Sequence, residues 1–259
     1  EERRLRAEIE SIDTRAAESI SSRKRRAITG MIKRAKIRLL GMVPSIPRQS
    51  KMDIGALFRP SKKFQGDFYF FHDFGPGRIG VAVYNLSVKG ADMVSLNDLV
   101  LDTLRNVCTS EVEPKAVLSR LNERLHDILE AGDYATMIYG VVDSEKRTFE
   151  FCNAGHSAPL VVNPYGSGEP TFHRSNGIVV GRDQGPMFNT LLETIEIEIG
   201  KRDVLLLYTE GLTASVGGPR LKPFGPNQLA ATVREYSKQD AHFLIDMLET
   251  TVLEYLGDV

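Results

Sequence analysis

Three positions at strand-to-turn junctions offer oxygen ligands of the kind a hard cation takes: Asp67 in FQGDFYF, Asn85 in VYNLSVKG and Glu210 in LLLYTEGLT. Gly66, Gly90 and Gly211 accompany them, and a residue without Cβ lets backbone come close to whatever the side chains hold. Mg²⁺ and Mn²⁺ draw oxygen ligands from several chain segments, as carboxylates, carbonyls and water, which suits this distribution. Asp, Asn and Glu beside glycine also describe ordinary turns, so spacing alone leaves both readings open. Asp73 and Asp92 are the nearest carboxylates that could make up a missing charge. His156 in NAGHSAPL has the side chain most often used as acid or base at neutral pH, although its strand-turn-strand setting suits a structural hydrogen bond. Lys89, at the tip of the SVKG turn, is placed to meet a substrate phosphate or simply to be solvated.

These residues need elements to position them. From position 54 to 83 the chain reads as short β-type runs, ALF, DFYFF and RIGVAV, with GPG at Gly75 to Gly77 closing a hairpin. Met93, Leu96, Val100, Leu104 and Val107 then recur at helical spacing, as do Val117, Leu121, Leu125 and Ile128 after Pro114, a residue suited to a helix's first turn. Strands ATMIYGVV, TFEFCN, PLVV, TIEIEI and DVLLLYT follow, and two closing helices run near 227–236 and 240–255. Strands, two helices, strands and more helices predict an α+β domain: two packed, mostly antiparallel β-sheets flanked by helix pairs.

The leading residues have a different character. Leu5, Ile9, Ile12, Ala16 and Ile20 form a narrow helical stripe of the kind used in a two-helix seam. Arg23, Lys24, Arg25, Arg26, Lys33, Arg34, Lys36 and Arg38 follow in a stretch without acids, and Pro44 and Pro47 end the pattern. We divide the chain into a signalling and dimerisation helix at 1–41, a connector at 42–53 and a catalytic-type domain at 54–259. The basic run has no interleaved aromatics to stack on bases, so an independent nucleic-acid-binding helix is a weak reading.

Composition narrows the class. The 259 residues are 42% apolar and 26% charged with a formal charge of −1, ordinary for a globular protein and no reason to propose nucleic acid or membrane as partner. No apolar run is long enough to span a bilayer and no signal peptide is present, and Cys108 and Cys152 read as reduced buried thiols, so a cytoplasmic location is expected. The first residue is Glu, so a piece of a longer sensor protein, cytoplasmic or membrane-anchored, is expected.

Taken together, GDFYFF, YNLSVKGAD, ATMIYGVVD, FCNAGHSAPLVV and DVLLLYTEGLTAS resemble the PPM metal-dependent protein serine/threonine phosphatases, in the bacterial RsbU and SpoIIE-like branch. The resemblance implies a two-metal hydrolase holding Mn²⁺ or Mg²⁺, with metal-activated water as nucleophile and no catalytic side chain beyond it. It implies a phosphoserine or phosphothreonine protein as substrate, such as an anti-sigma factor antagonist in a partner-switching pathway, and control by an upstream sensor. Asp67 occupies the family's first acidic motif, Leu86 the position of a backbone-carbonyl ligand and Glu210 that of a later aspartate. The extra methylene of Glu210 displaces its carboxylate by about 1.5 Å. Asn85 falls where the family has its metal-bridging aspartate. The family's final aspartate has no counterpart before the chain ends at Gly257, Asp258 and Val259, so the last strand is expected to be missing. An amide is neutral and has one good ligand oxygen, so a degenerate centre is expected. The competing expectation is therefore a pseudophosphatase that binds a phosphoprotein or acts as a signalling scaffold.

Overall fold

The computed structural model describes residues 45–59, 66–89, 93–218 and 221–257. The expected dimerisation helix, the basic cluster and Asp92 lie outside the described residues.

Alternating residues in GDFYFFHD and RIGVAVYNLS form β1 (Gly66–Asp73) and β2 (Arg78–Ser87), an antiparallel hairpin in which Asp67 pairs with Asn85. Its turn needs glycine, because Gly75 and Gly77 adopt φ of 104° and 81°, where a Cβ is disfavoured. Next come helices α1 (Met93–Cys108) and α2 (Pro114–His126), then strands β3 (Tyr134–Asp143) and β4 (Thr148–Ala154). Shorter elements follow: β5 (Leu160–Val162), β6 (Thr171–Phe172), α3 (Pro186–Leu191), β7 (Thr194–Glu198), β8 (Val204–Leu206), α4 (Glu210–Thr213), β9 (Val216–Gly217) and β10 (Lys222–Pro223). Helices α5 (Gly225–Tyr236) and α6 (Ala241–Leu256) complete the described chain.

Strands β1-β2-β3-β4-β7 make one five-stranded sheet and β6-β5-β8 a second of three strands, with every pairing antiparallel. Side chains alternate across each strand, so each sheet presents two apolar faces. Between the sheets, Val81, Ile138, Phe149, Phe151 and Ile197 pack with Val161, Leu205 and Leu207. On the outer side of the larger sheet, Tyr84, Met137 and Tyr139 are buried under α1 and α2, whose Val100, Leu104, Val117, Leu118, Leu121 and Leu125 have no exposure. Each of those leucines contributes about 1.5–3 kcal/mol by leaving water. Over the smaller sheet, Leu160 and Val162 meet Leu229, Val233, Leu244, Leu248 and Val252 of α5 and α6. The architecture is the expected α+β sandwich with helix pairs outside.

Two local readings differ. The ALF run, residues 56–58, is not a strand: Leu57 is 44% exposed, and Phe58 instead stacks on Phe68 with ring centroids 5.9 Å apart. Helix α2 stops before Ile128, which is 47% exposed, where the last turn tightens and the Ile128 N–H bonds the Leu125 carbonyl three residues back at 3.1 Å.

The connector is tied to both layers. Gln49 donates to the Asp73 carboxylate at 2.9 Å and accepts from the Gly77 N–H at 2.9 Å, fastening it to the β1–β2 turn. The Asp53 carboxylate accepts from the Ala241 N–H at 2.7 Å, fastening it to α6, and just beyond it Arg59 pairs with Glu249 of the same helix.

Candidate functional site

Register brings the first two candidate residues together. Asp67 and Asn85 are directly paired on β1 and β2, so their side chains share one face, the face turned toward the smaller sheet. The Asn85 amide Nδ2 donates to Asp67 Oδ1 at 2.7 Å. The Thr209 hydroxyl approaches Asp67, and Thr209, in the N-cap position of α4, makes no capping bond with its side chain. Burial raises the Asp67 pKa above the usual carboxylate value, and Asn85 and Thr209 partly oppose this.

Glu210 follows Thr209 as the first residue of α4, which places it at the same end of the sandwich with an exposed side chain. Leu86 is buried, and its carbonyl oxygen lies so near Gly66 that a Cβ there would sit 2.3 Å from it. Only glycine allows that approach. Lys89 has an exposed side chain, while its backbone N–H is held by the Asp133 carboxylate at 3.0 Å. Asp73 cannot supply charge to this cluster. It ends β1 six residues beyond Asp67, roughly 20 Å along the strand, and its carboxylate accepts from Gln49 and from the Gly75 N–H.

His156 has a structural setting. Its Nδ1 lies 2.9 Å from Thr136 Oγ1, and Thr136 is the β3 residue paired with Asn85. Burial pushes the His156 pKa down to about 4, with the backbone of Tyr208 opposing, so the ring is neutral near pH 7. The turn itself is clasped by Asn153, which accepts from the His156 N–H at 2.6 Å and donates to the His156 carbonyl at 3.0 Å. Gly155, within the clasp, has φ of 70°. Thr209, Thr136 and Asn153 escaped the sequence reading. A threonine directly before Glu210 at a strand end was the one available signal, and it reads as a helix cap.

A sandwich of two antiparallel sheets with outer helix pairs, and with Asp67 and Asn85 paired at one end, defines a PP2C-type phosphatase fold. The family model for Stage II sporulation protein E (SpoIIE) matches residues 75–258, and the chain belongs to that family. Phosphoserine phosphatase RsbU of Bacillus subtilis is 25% identical over 170 residues, covering 65% of this chain and 48% of its own length. The chain spans between a third and a half of the curated relatives it matches. Among solved structures, the SiaA-PP2C domain of Pseudomonas aeruginosa superposes with a TM-score of 0.67 at 18% identity, covering 78% of each chain. The PP2C phosphatase domain of SpoIIE from Bacillus subtilis gives 0.61 at 14% identity, covering 73% of this chain and 53% of that one.

The family implies a metal centre, and the described residues do not fit one of two ions. A bridging ligand needs two anionic oxygens, whereas Asn85 supplies an amide and directs its nitrogen, a donor, at the one carboxylate it would share a cation with. Among the described residues no three His, Cys, Asp or Glu side chains converge to hold an ion, so Asp67 and Glu210 form at most a pair. No hydrolytic step is assigned to this centre. Among the described residues no helix is long and apolar enough to cross a membrane, and both cysteines are free and buried.

Proposed function

We propose that this is an RsbU/SpoIIE-like phosphatase domain directed at a phosphoserine or phosphothreonine protein of a bacterial partner-switching pathway, such as an anti-sigma factor antagonist. The observation that carries the proposal is the SpoIIE family match over residues 75–258, on a chain whose sheet register sets Asp67 and Asn85 side by side. The name of the RsbU relative, a phosphoserine phosphatase, supports the substrate class. On this reading Asp67, the Leu86 carbonyl and Glu210, with Asp92 as a further carboxylate, are the groups left to hold Mn²⁺ or Mg²⁺, and Lys89 meets the substrate phosphate. The leading segment, 1–41, is the homodimerisation helix through which an upstream cytoplasmic or membrane-anchored sensor acts, with 42–53 as connector.

The test is phosphate release from a phosphoserine protein substrate by the intact chain in millimolar Mn²⁺. Release that disappears on chelation supports the phosphatase reading; absence of release over hours at micromolar enzyme counts against it. A second reading is favoured by one contact, the Asn85 to Asp67 hydrogen bond. It makes the domain a pseudophosphatase that binds the phosphoprotein, or a partner domain, and transmits a signal without hydrolysis.

A further inference from the structure

The Asp67 carboxylate is a half-buried anion, and such a group must be neutralised or hydrogen-bonded. In this chain its partners are an amide and a hydroxyl. Asn85 donates from across the β1–β2 pair at 2.7 Å, and the Thr209 hydroxyl approaches from the start of α4. Turning Nδ2 to Asp67 turns the amide oxygen, its one ligand atom, the other way. The amide thus occupies the carboxylate and ties β1 to β2 by a side-chain bond across the hairpin. An aspartate at position 85 would instead set two carboxylates opposite each other on paired strands, a repulsion that only a cation or a proton relieves.

We propose that the Asn85 amide stands in for a divalent cation, so that Asp67 and Asn85 form a closed, cation-independent joint between β1 and β2, on the face that Thr209 approaches. The proposal rests on the second reading of the function. It adds that the domain holds its shape, and recognises its phosphoprotein, equally well with chelator or with Mn²⁺. The carboxamide supplies two N–H donors and no net charge, which is enough for one carboxylate and insufficient for two. Glu210 is exposed and stays outside the joint.

The experiment compares the intact chain with its Asn85→Asp and Asn85→Ala variants by thermal unfolding in EDTA and in millimolar MnCl₂, with calorimetric titration of MnCl₂ alongside. The expected result is a parent melting temperature that moves by less than about 1 °C between the two conditions, without binding heat. Asn85→Asp is expected to melt several degrees lower in EDTA and to recover at least about 3 °C in Mn²⁺. Asn85→Ala loses stability that Mn²⁺ does not restore, which keeps the test decisive should Asn85→Asp fail to fold. Saturable Mn²⁺ binding by the parent with a matching rise in melting temperature overturns the proposal. An Asn85→Asp variant that folds and is as indifferent to Mn²⁺ as the parent also overturns it, by removing Asn85 as the deciding residue. Binding of a phosphoserine protein, measured in EDTA and in Mn²⁺, separates this proposal from the reading beneath it. No binding in either condition defeats the reading, whereas binding that requires Mn²⁺ defeats only the cation-independent joint.

Discussion

Thr136 Oγ1 and His156 Nδ1 lie 2.9 Å apart, joining the β3 residue paired with Asn85 to the turn that leaves β4. The ring nitrogen Nε2 is shielded from solvent and makes no hydrogen bond. The imidazole therefore works as a wedge under the candidate site, and its charged form is excluded by burial.

Acid should loosen this wedge. The folded-state pKa of His156 is depressed from 6.5 to about 4, so the unfolded chain binds the proton more readily between those values. The corresponding stability is fully present above pH 6.5 and is lost as the pH falls toward 4. The loss from this residue is about 2 kcal/mol, reduced from the full shift because the residue is partly exposed. Asp67, whose pKa is raised, acts in the opposite sense on acidification. Urea unfolding of the parent and His156→Gln at pH 7.0 and 4.5 isolates the histidine: the parent should lose more stability than the variant, and equal losses would refute the assignment.

The Asn85 to Asp67 bond should appear as an energetic coupling. Asn85→Ala, Asp67→Ala and the double variant, unfolded in urea with EDTA present, should give a coupling of about 1–2 kcal/mol, as for a hydrogen bond to a charged group. Additive single effects would show that the two side chains do not depend on each other.

Gly66 should tolerate no side chain. A Cβ at this position would meet the Leu86 carbonyl oxygen at 2.3 Å and Leu86 Cβ at 2.9 Å, and both contacts belong to a buried strand. Gly66→Ala is expected to cost about 3 kcal/mol or more, because backbone rather than a flexible side chain must move. Its denaturation midpoint tests this, and a loss below about 1 kcal/mol would mean that β1 adjusts freely.

Gln49→Ala should unfasten the connector from the β1–β2 turn. It removes the bonds to Asp73, the Gly75 carbonyl and the Gly77 N–H. A loss of about 1–2 kcal/mol is expected, with hydrogen exchange at the Gly77 amide accelerating about tenfold. Unchanged exchange at that amide would show that the turn holds itself.

The sequence by itself determined the elements and their layering. Helical spacing in α1 and α2 and alternation in β1 to β4 report which side of each element is apolar, and burying those sides together leaves few arrangements besides a sandwich with helices outside. The motif residues Asp67, Asn85 and Glu210 were legible because their types and the glycines beside them are local properties. Only the tertiary structure decided what those side chains touch. Asp67 and Asn85 are 18 residues apart in the chain, and it is the hairpin register that turns an asparagine into a donor for that carboxylate. Thr209 reads locally as a helix cap, yet it makes no capping bond and its hydroxyl approaches Asp67. Asp73 looked available by proximity in sequence, but a strand advances about 3.3 Å per residue and carries it to the opposite end of the sheet. The ALF run has strand-like composition without a strand, because backbone pairing needs a neighbouring edge and composition does not say whether one is within reach.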